Sequence, residues 1–183
     1  LFTQNGLKCV RTSDHKVFKY NLIIVCTGKN SSLIRNLLGN RHFKYDYNEV
    51  STTQVIKHKV TKNNIARQFF LREGPMAFLP ISKSQTSIVW SIKKNFLEKE
   101  KKNKENFIRK KIKNVSKEIY KDIKLAPKFE FNNLNFHLED KCFVDRVLVF
   151  GDALYSVHPI AGQGFNMILR DLKKLDVVIK QKI

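Results

Sequence analysis

The most informative segment of this chain is Gly151-Asp152-Ala153-Leu154-Tyr155-Ser156-Val157-His158-Pro159-Ile160-Ala161-Gly162-Gln163-Gly164-Phe165-Asn166. It follows an apolar run over residues 147–150 that is typical of a buried strand, and an amphipathic helix is predicted to begin near its end. Three of the seven glycines lie within it, and glycine lets a backbone approach a ligand closely. A strand, a glycine-containing loop and a helix in this order indicate an anion or cofactor site.

Asp152 is the first candidate binding residue, because it follows the predicted strand directly. Open α/β sheets hold their ligands at the carboxyl ends of strands, and a carboxylate there can accept hydrogen bonds from ribose or ribityl hydroxyls. The helix after the loop aims free backbone N–H groups and a partial positive charge at the same place. A capping aspartate in a tight turn is the alternative interpretation.

The residues before this segment predict a mixture of strands and helices. Alternation indicates a strand over residues 7–11 and a second over 17–20 that continues into the apolar run 22–25, which is typical of a strand buried on both faces. A short helix is expected over residues 33–38, closed by Gly39.

The middle of the chain predicts an antiparallel sheet and one long helix. The sheet is expected within residues 43–92, where Pro80 indicates a sheet edge or a strand end. Apolar residues at helical spacing predict a single helix over residues 96–123, and a further strand is expected over 129–136.

The composition is that of a globular chain of one domain or one and a half. The 183 residues are 42% hydrophobic and carry a formal charge of +19. No run approaches the roughly 18 apolar residues of a membrane span. Three widely spaced cysteines exclude a disulfide scaffold and a CxxC metal site. The histidines show no metal-ligand spacing, and no Gly-x-Ser-x-Gly motif supports a serine hydrolase.

The positive charge has two interpretations that the sequence leaves open. Its densest run, residues 99–113, is broken by glutamates and is either a solvated helix face or a surface for anionic lipid or an acidic partner. Lysine supplies most of the excess, whereas recognition of bases and phosphates favours arginine, so no specific nucleic-acid partner is expected.

The segment from Gly151 to Asn166 resembles the second flavin-binding motif of the FAD-dependent aromatic hydroxylases, the para-hydroxybenzoate hydroxylase class. The sequence from His158 onward, followed by Arg170 and Asp171, is most similar to the corresponding motif of the ubiquinone-biosynthesis hydroxylases. Residues 73–90 resemble the substrate-domain strands of that subfamily, and residues 22–31 resemble its middle motif, with Thr27 where the family has Asp.

The resemblance implies FAD as the cofactor and NAD(P)H as the co-substrate. It implies no catalytic acid or base, because the flavin carries the oxygen chemistry, and it implies no metal. His158 is then interpreted as structural. The implied cofactor-binding residues, from the ribityl contact to the ring contacts, are Asp152, Pro159, Gly162, Gln163, Gly164, Phe165 and Asn166.

The roles implied for these residues differ along the flavin. Asp152 would hold the ribityl chain, and the Gly162-Gln163-Gly164 stretch would pass beside the isoalloxazine. Backbone N–H groups of Gly164, Phe165 and Asn166 would face the pyrimidine end of the ring, where a helix N-terminus stabilises negative charge. Pro159 would pack against the face of the isoalloxazine ring at which oxygen reacts.

The expected fold class is α/β (α+β): a partial three-layer FAD-binding domain from residues 1–42 and 141–183, and an antiparallel-sheet substrate domain from 43–140. The chain lacks the family's GxGxxG unit, so we expect a C-terminal piece of a longer protein or one half of a split one. The face on which the missing unit would pack should be apolar.

The resemblance also implies partners and a location. The expected substrate is a lipid-tailed aromatic quinone precursor, and sister biosynthetic proteins or a membrane surface are the expected partners. The expected location is cytoplasmic, with peripheral attachment to the inner membrane as a variant. The alternatives are a non-enzymatic basic module that binds a membrane surface or nucleic acid through the helix at 96–123, and an inactive degraded copy.

Overall fold

The computed structural model describes residues 1–29, 31–39, 41–100 and 103–181. Helices and mainly antiparallel sheets are mixed, which confirms the predicted fold class. The strands, in chain order, are β1 Phe2–Gln4, β2 Leu7–Arg11, β3 Val17–Tyr20, β4 Ile23–Val25, β5 His42–Lys57, β6 Arg67–Leu71, β7 Gly74–Ser82, β8 Gln85–Lys93, β9 Asn132–Glu139, β10 Phe143–Val144, β11 Val147–Val149 and β12 Tyr155–Ser156. The helices are α1 Ser32–Leu38, α2 Lys94–Lys99, α3 Lys104–Ser116 and α4 Gln163–Gln181.

The chain divides into two compact units. Unit 1 comprises Leu1–Tyr45 and Asn135–Ile183, and unit 2 comprises Asp46–Leu134. The assignment of one part of the chain to FAD binding and another to substrate binding stays a prediction.

In unit 2, β5, β8, β7 and β6 pair antiparallel in that order, so the predicted sheet is confirmed. Its core contains the buried side chains of Phe78, Trp90 and, from α3, Ile108. The pairing of β6 with β7 ends at Phe78, and the register of β7 shifts between Pro80 and Ser82. Pro80 therefore lies beyond the β6 pairing, where its missing N–H costs no ladder bond on that side.

The prediction of one helix over residues 96–123 is wrong. Two helices, α2 and α3, lie in this region, two residues between them are outside the described part, and α3 ends at Ser116. After the helix, Lys124 pairs with Lys57 through two backbone hydrogen bonds of 2.8 and 3.0 Å. Ile119 still packs against the core, so the apolar period continues although the helix has ended.

Unit 1 contains two small sheets. One is the antiparallel meander β1-β2-β3, and β2 has the bounds that the sequence predicts. The predicted continuation of β3 into the next apolar run is wrong, because β3 ends at Tyr20 and β4 begins at Ile23 in the second sheet, β10-β11-β4. Ile24 is 42% exposed, so β4 is not buried on both faces.

The remaining strands and the last helix lie close to their predicted positions. The predicted strand at 147–150 is β11, the one at 129–136 is shifted to Asn132–Glu139, and α1 ends before Gly39 as expected. Helix α4 begins at Gln163, two residues before the predicted start, and none of its described side chains is buried. Its apolar residues are therefore half-buried or exposed.

Candidate functional site

The parallel pair β4–β11 brings two distant motifs to one edge of a sheet. The Phe150 N–H donates to the Val25 carbonyl over 3.0 Å and extends the pairing one residue past the end of β11. Because parallel strands end at the same edge, Gly28 lies near Gly151 and Asp152. These residues line a groove of about 510 Å³ within unit 1.

The walls of this groove are mainly apolar. They come from β4 through Ile24 and from α4 through Ile168, Leu172 and Leu175, with Cys26 beside them. Ile24 is 42% and Leu172 is 51% exposed, although aliphatic side chains of this size are usually buried. Unit 1 thus carries an exposed apolar surface directly beside Asp152.

Asp152 is held in an exposed turn by buried neighbours. It lies in the 3-10 turn Gly151–Ala153, and Ala153 is fully buried in the core of unit 1. Gly151 has a φ of +66°, a conformation that side-chain-bearing residues rarely adopt, and a Cβ there would lie 3.9 Å from Cδ1 of Ile168. The chain therefore turns sharply after β11 and leaves the Asp152 carboxylate open to solvent.

A buried tyrosine joins the loop to helix α4. Tyr155 in β12 pairs with Leu138 of β9, and its Oη donates to Oδ2 of Asp171 over 2.6 Å. Burial, together with this hydrogen bond, raises the pKa of Tyr155 to about 12. The sequence reasoning missed this contact, because a spacing of sixteen residues carries no periodic signal.

Replacing Tyr155 by Phe is expected to lower the free energy of unfolding by about 1 kcal/mol, the usual contribution of one such bond. The folded pKa lies above the ordinary value of 10, so the contribution is complete below pH 10 and is lost as the pH rises through about 12. Urea unfolding of both proteins across this range tests the prediction.

The control for this experiment is Tyr20→Phe, because Tyr20 is 47% exposed. It should change the unfolding free energy little at any of these pH values. An equal stability of Tyr155→Phe and the wild type at neutral pH would contradict the role of the Asp171 bond.

The predicted ring-contact residues lie around the start of α4. Pro159 is exposed and precedes the 3-10 turn Ile160–Gly162, in which Gly162 has a φ of +65°. The exposed residues Gln163, Phe165 and Asn166 then form the first turn of α4, where backbone N–H groups lack partners inside the helix. Phe165 is 67% exposed.

The structure does not gather all predicted residues into one concavity. Asp152 lines the groove, whereas Pro159 and the residues from Gly162 to Asn166 are absent from its described lining. Gly164 lies against the loop instead, since a Cβ built on it would be 3.6 Å from Cγ2 of Val157. The predicted site is thus a loop and a helix terminus beside the groove.

Unit 1 also holds a polar pocket that the sequence reasoning missed. It measures about 150 Å³, and its buried floor is His137 and Glu139, whose Nε2 and Oε1 are 3.0 Å apart. Burial lowers the pKa of His137, although Glu139 opposes the shift. Lys29, Arg35 and Lys44 are also part of the lining. The i, i+2 spacing of the floor residues on one strand could have placed them on one face.

Within the described ranges, no helix is both long enough and apolar enough to cross a membrane.

A sequence model of the FAD-binding domain family matches residues 6–180. The chain belongs to this family. Among curated proteins it is similar to the ubiquinone hydroxylase UbiL of Rhodospirillum rubrum, with 24% identity over 169 residues, 89% of this chain and 38% of that protein. It is also similar to the mitochondrial ubiquinone biosynthesis monooxygenase COQ6 of Xenopus tropicalis, with 26% identity over 197 residues, 89% of this chain and 42% of that protein.

A solved structure supports the same fold. The chain superposes on pqsL, a probable FAD-dependent monooxygenase from Pseudomonas aeruginosa, with a TM-score of 0.70 at 20% identity, covering 96% of this chain and 51% of that one. The chain therefore spans about two fifths of the length of the curated relatives and about half of this structural neighbour.

Proposed function

We propose that this chain is part of an FAD-dependent monooxygenase that hydroxylates an aromatic ring of a lipid-tailed ubiquinone precursor, with NAD(P)H and O2 as co-substrates. The observation that carries the proposal is the juxtaposition of Gly28 with Gly151 and Asp152 at the end of a parallel strand pair. Membership of the FAD-binding domain family and relatives named for ubiquinone hydroxylation support it.

Asp152 fits the role of the ribityl-binding residue. Its carboxylate is exposed, follows a strand end and is displayed by a turn that Gly151 makes possible. A carboxylate accepts hydrogen bonds from hydroxyl donors strongly and has no donor of its own to compete. A tight turn alone would not require an acidic residue at its exposed position.

The start of α4 fits the electron-rich end of the flavin ring. The positive end of its dipole and its first backbone N–H groups, which have no acceptor within α4, stabilise negative charge. In this proposal, Gly162, Gln163 and Gly164 would pass beside the ring, and the N–H groups of Gly164, Phe165 and Asn166 would donate to it. Pro159 closes one ring face. FAD supplies the oxidation chemistry, and these residues orient it and exclude water.

The groove beside Asp152 provides no polar cradle for the ADP part of FAD. The groove beside Asp152 has aliphatic walls, which suit a protein segment better than a diphosphate. We therefore propose that an upstream strand–GxGxxG–helix unit covers this groove and binds the ADP part.

The wider setting belongs to the same proposal. A lipid-tailed substrate places the protein in the cytoplasm or at the surface of the inner membrane, among the other proteins that process the same precursor. No residue of the chain is proposed as a catalytic acid or base.

FAD binding by the 183-residue chain tests the proposal. Quenching of FAD fluorescence is measured for the chain alone and for the chain co-expressed with the N-terminal segment of the UbiL relative. We expect saturable quenching only with the added segment, because in this proposal the upstream GxGxxG unit binds the ADP part of FAD.

The other two outcomes are equally informative. Tight binding by the chain alone would contradict the inference that an upstream unit is needed. No binding in either case would contradict the flavin assignment and favour an inactive degraded copy.

A further inference from the structure

Five exposed lysines from three segments of unit 2 lie together at one end of its sheet. We call them the basic patch: Lys57, Lys59, Lys83, Lys121 and Lys124. Lys57 is the last residue of β5, and Lys59 follows that strand. Lys83 lies in the turn between β7 and β8. Lys121 and Lys124 belong to the segment after α3.

Backbone hydrogen bonds bring these lysines together. Lys57 and Lys124 exchange two bonds of 3.0 and 2.8 Å, which makes them directly opposite residues of an antiparallel bridge. The Lys59 N–H donates to the Lys121 carbonyl over 2.9 Å. Like charges at opposite positions are destabilising, so this arrangement costs folding free energy.

The lysines line two adjoining depressions that share Lys59. One has a volume of about 470 Å³ and is also lined by Lys57 and Lys124. The other has a volume of about 300 Å³ and is also lined by Val60 and Lys121. The fifth lysine, Lys83, is held beside them because its carbonyl accepts from the N–H of residue 61 over 3.0 Å.

The positive charge of the patch is not neutralised within the part of unit 2 that is described. Elsewhere in this unit, Lys94 pairs with Asp46 and Lys111 pairs with Glu73. None of the five patch lysines forms a described ion pair, and Asp122 is the one acidic side chain in the described lining of the two depressions. A surface of this kind attracts anions.

An exposed apolar residue beside the basic patch indicates which anionic partner the patch suits. Val60 follows Lys59 and is 70% exposed. Lysines around an exposed aliphatic side chain suit a bilayer surface, where the lysines meet anionic headgroups and the aliphatic group enters the interface. Single-stranded nucleic acid is bound with exposed aromatic stacking platforms and arginine. The described lining of both depressions contains no arginine, and its one aromatic ring, that of His58, is buried and stacked on Tyr120.

We infer that the basic patch binds the surface of a bilayer that contains anionic lipids, with Val60 as its apolar contact. The inference rests on the charges and contacts of unit 2 and is independent of the flavin assignment. It also assigns membrane binding to residues outside α3, whereas the charge run in the sequence indicates that helical region.

Vesicle sedimentation of the full chain tests this inference. Vesicles of phosphatidylcholine are compared with and without phosphatidylglycerol. The test variant carries Lys57→Gln, Lys59→Gln, Lys121→Gln and Lys124→Gln. The matched control loses the same charge from the α3 region through Lys104→Gln, Lys110→Gln, Lys113→Gln and Lys117→Gln.

We expect binding only to the anionic vesicles, weakened by salt. The patch variant should lose at least about tenfold in partition coefficient, and the α3 control less than about threefold. Val60→Ser should lose about threefold or more, since it removes the apolar contact. The patch variant should unfold at the same or a higher temperature than the wild type, because it relieves the repulsion between Lys57 and Lys124.

Several results would overturn the inference. One is an equal loss of partition coefficient in the two quadruple variants. A second is binding of the same strength to vesicles with and without the anionic lipid. A third is tighter binding to a single-stranded oligonucleotide that the patch variant alone loses, which would identify nucleic acid as the partner. If the glutamine variant did not fold, the corresponding Lys→Arg variant and the single variant Lys124→Gln would be compared instead, and loss of binding in the arginine variant would contradict a charge-based contact.

Discussion

Replacement of Asp152 by Asn should weaken FAD binding about 10- to 100-fold, because hydrogen bonds to a charged acceptor contribute about 1.5–3 kcal/mol. The Asp152 carboxylate is exposed beside the groove, and in the proposed site it accepts hydrogen bonds from the ribityl hydroxyls. The amide of Asn has almost the same shape but carries no charge and accepts with one oxygen instead of two. The change therefore tests the charge and leaves the turn intact.

The measurement is FAD fluorescence quenching with the N-terminal segment of the UbiL relative co-expressed. The matched control is Asp176→Asn, which removes an exposed carboxylate of α4 that pairs with Lys180 at 2.8 Å. Both variants lose one negative charge, so a general electrostatic effect would appear in both. An affinity of Asp152→Asn within about twofold of the control would show that Asp152 is a turn residue only.

Local sequence patterns predict the elements that depend on local interactions. The sequence predicts a strand over residues 7–11, and β2 has those bounds, although Lys8 and Cys9 are both buried and the observed burial does not alternate. The turn after β11 needs a glycine with positive φ, which Gly151 provides, and the sequence places it correctly between strand and helix. These features require no knowledge of distant residues.

Long-range pairing explains the elements that local patterns do not predict. The apolar run at residues 22–25 predicts an extension of β3, yet β4 pairs in parallel with β11, more than 120 residues away. The apolar period through Ile119 predicts a continuing helix, yet the chain after Ser116 forms hydrogen bonds with the end of β5. In both cases a distant strand offers backbone partners that override the local preference.

The sequence predicts candidate binding residues but not their arrangement, and the role of these residues in FAD binding stays a prediction. The motif from Gly151 to Asn166 is sufficient to identify Asp152 and the start of α4 as candidate binding elements. The groove wall from Ile24 and the bond from Tyr155 to Asp171 depend on how β4 and α4 pack in unit 1. No spacing rule in a single sequence encodes such contacts.

Gly74→Ala should lower the free energy of unfolding of unit 2 by about 3–5 kcal/mol. The loss has two causes, which are overpacking by the added methyl group and a backbone conformation that is unfavourable for alanine. Gly74 has a φ of +139°, and a Cβ built there would lie 2.1 Å from the backbone oxygen of Ser91. That oxygen cannot move easily, because β8 lies between β5 and β7 in the sheet. The Gly74 carbonyl also accepts from Nε1 of Trp90 over 3.2 Å, so the clash would reach the core.

The single tryptophan of the chain, Trp90, is fully buried in unit 2, so its fluorescence during urea unfolding reports on this unit. The control is the variant Gly6→Ala, whose urea unfolding is monitored by far-UV circular dichroism. Gly6 has a φ of +71°, but a Cβ there would meet nothing within 4 Å. The free energy of unfolding of Gly6→Ala should be lower than that of the wild type by about 1–2 kcal/mol, which is the cost of the backbone conformation alone. Similar losses in the two variants would show that the strand β8 yields to the added methyl group, and that Gly74 is required for its φ and not for the close approach to Ser91.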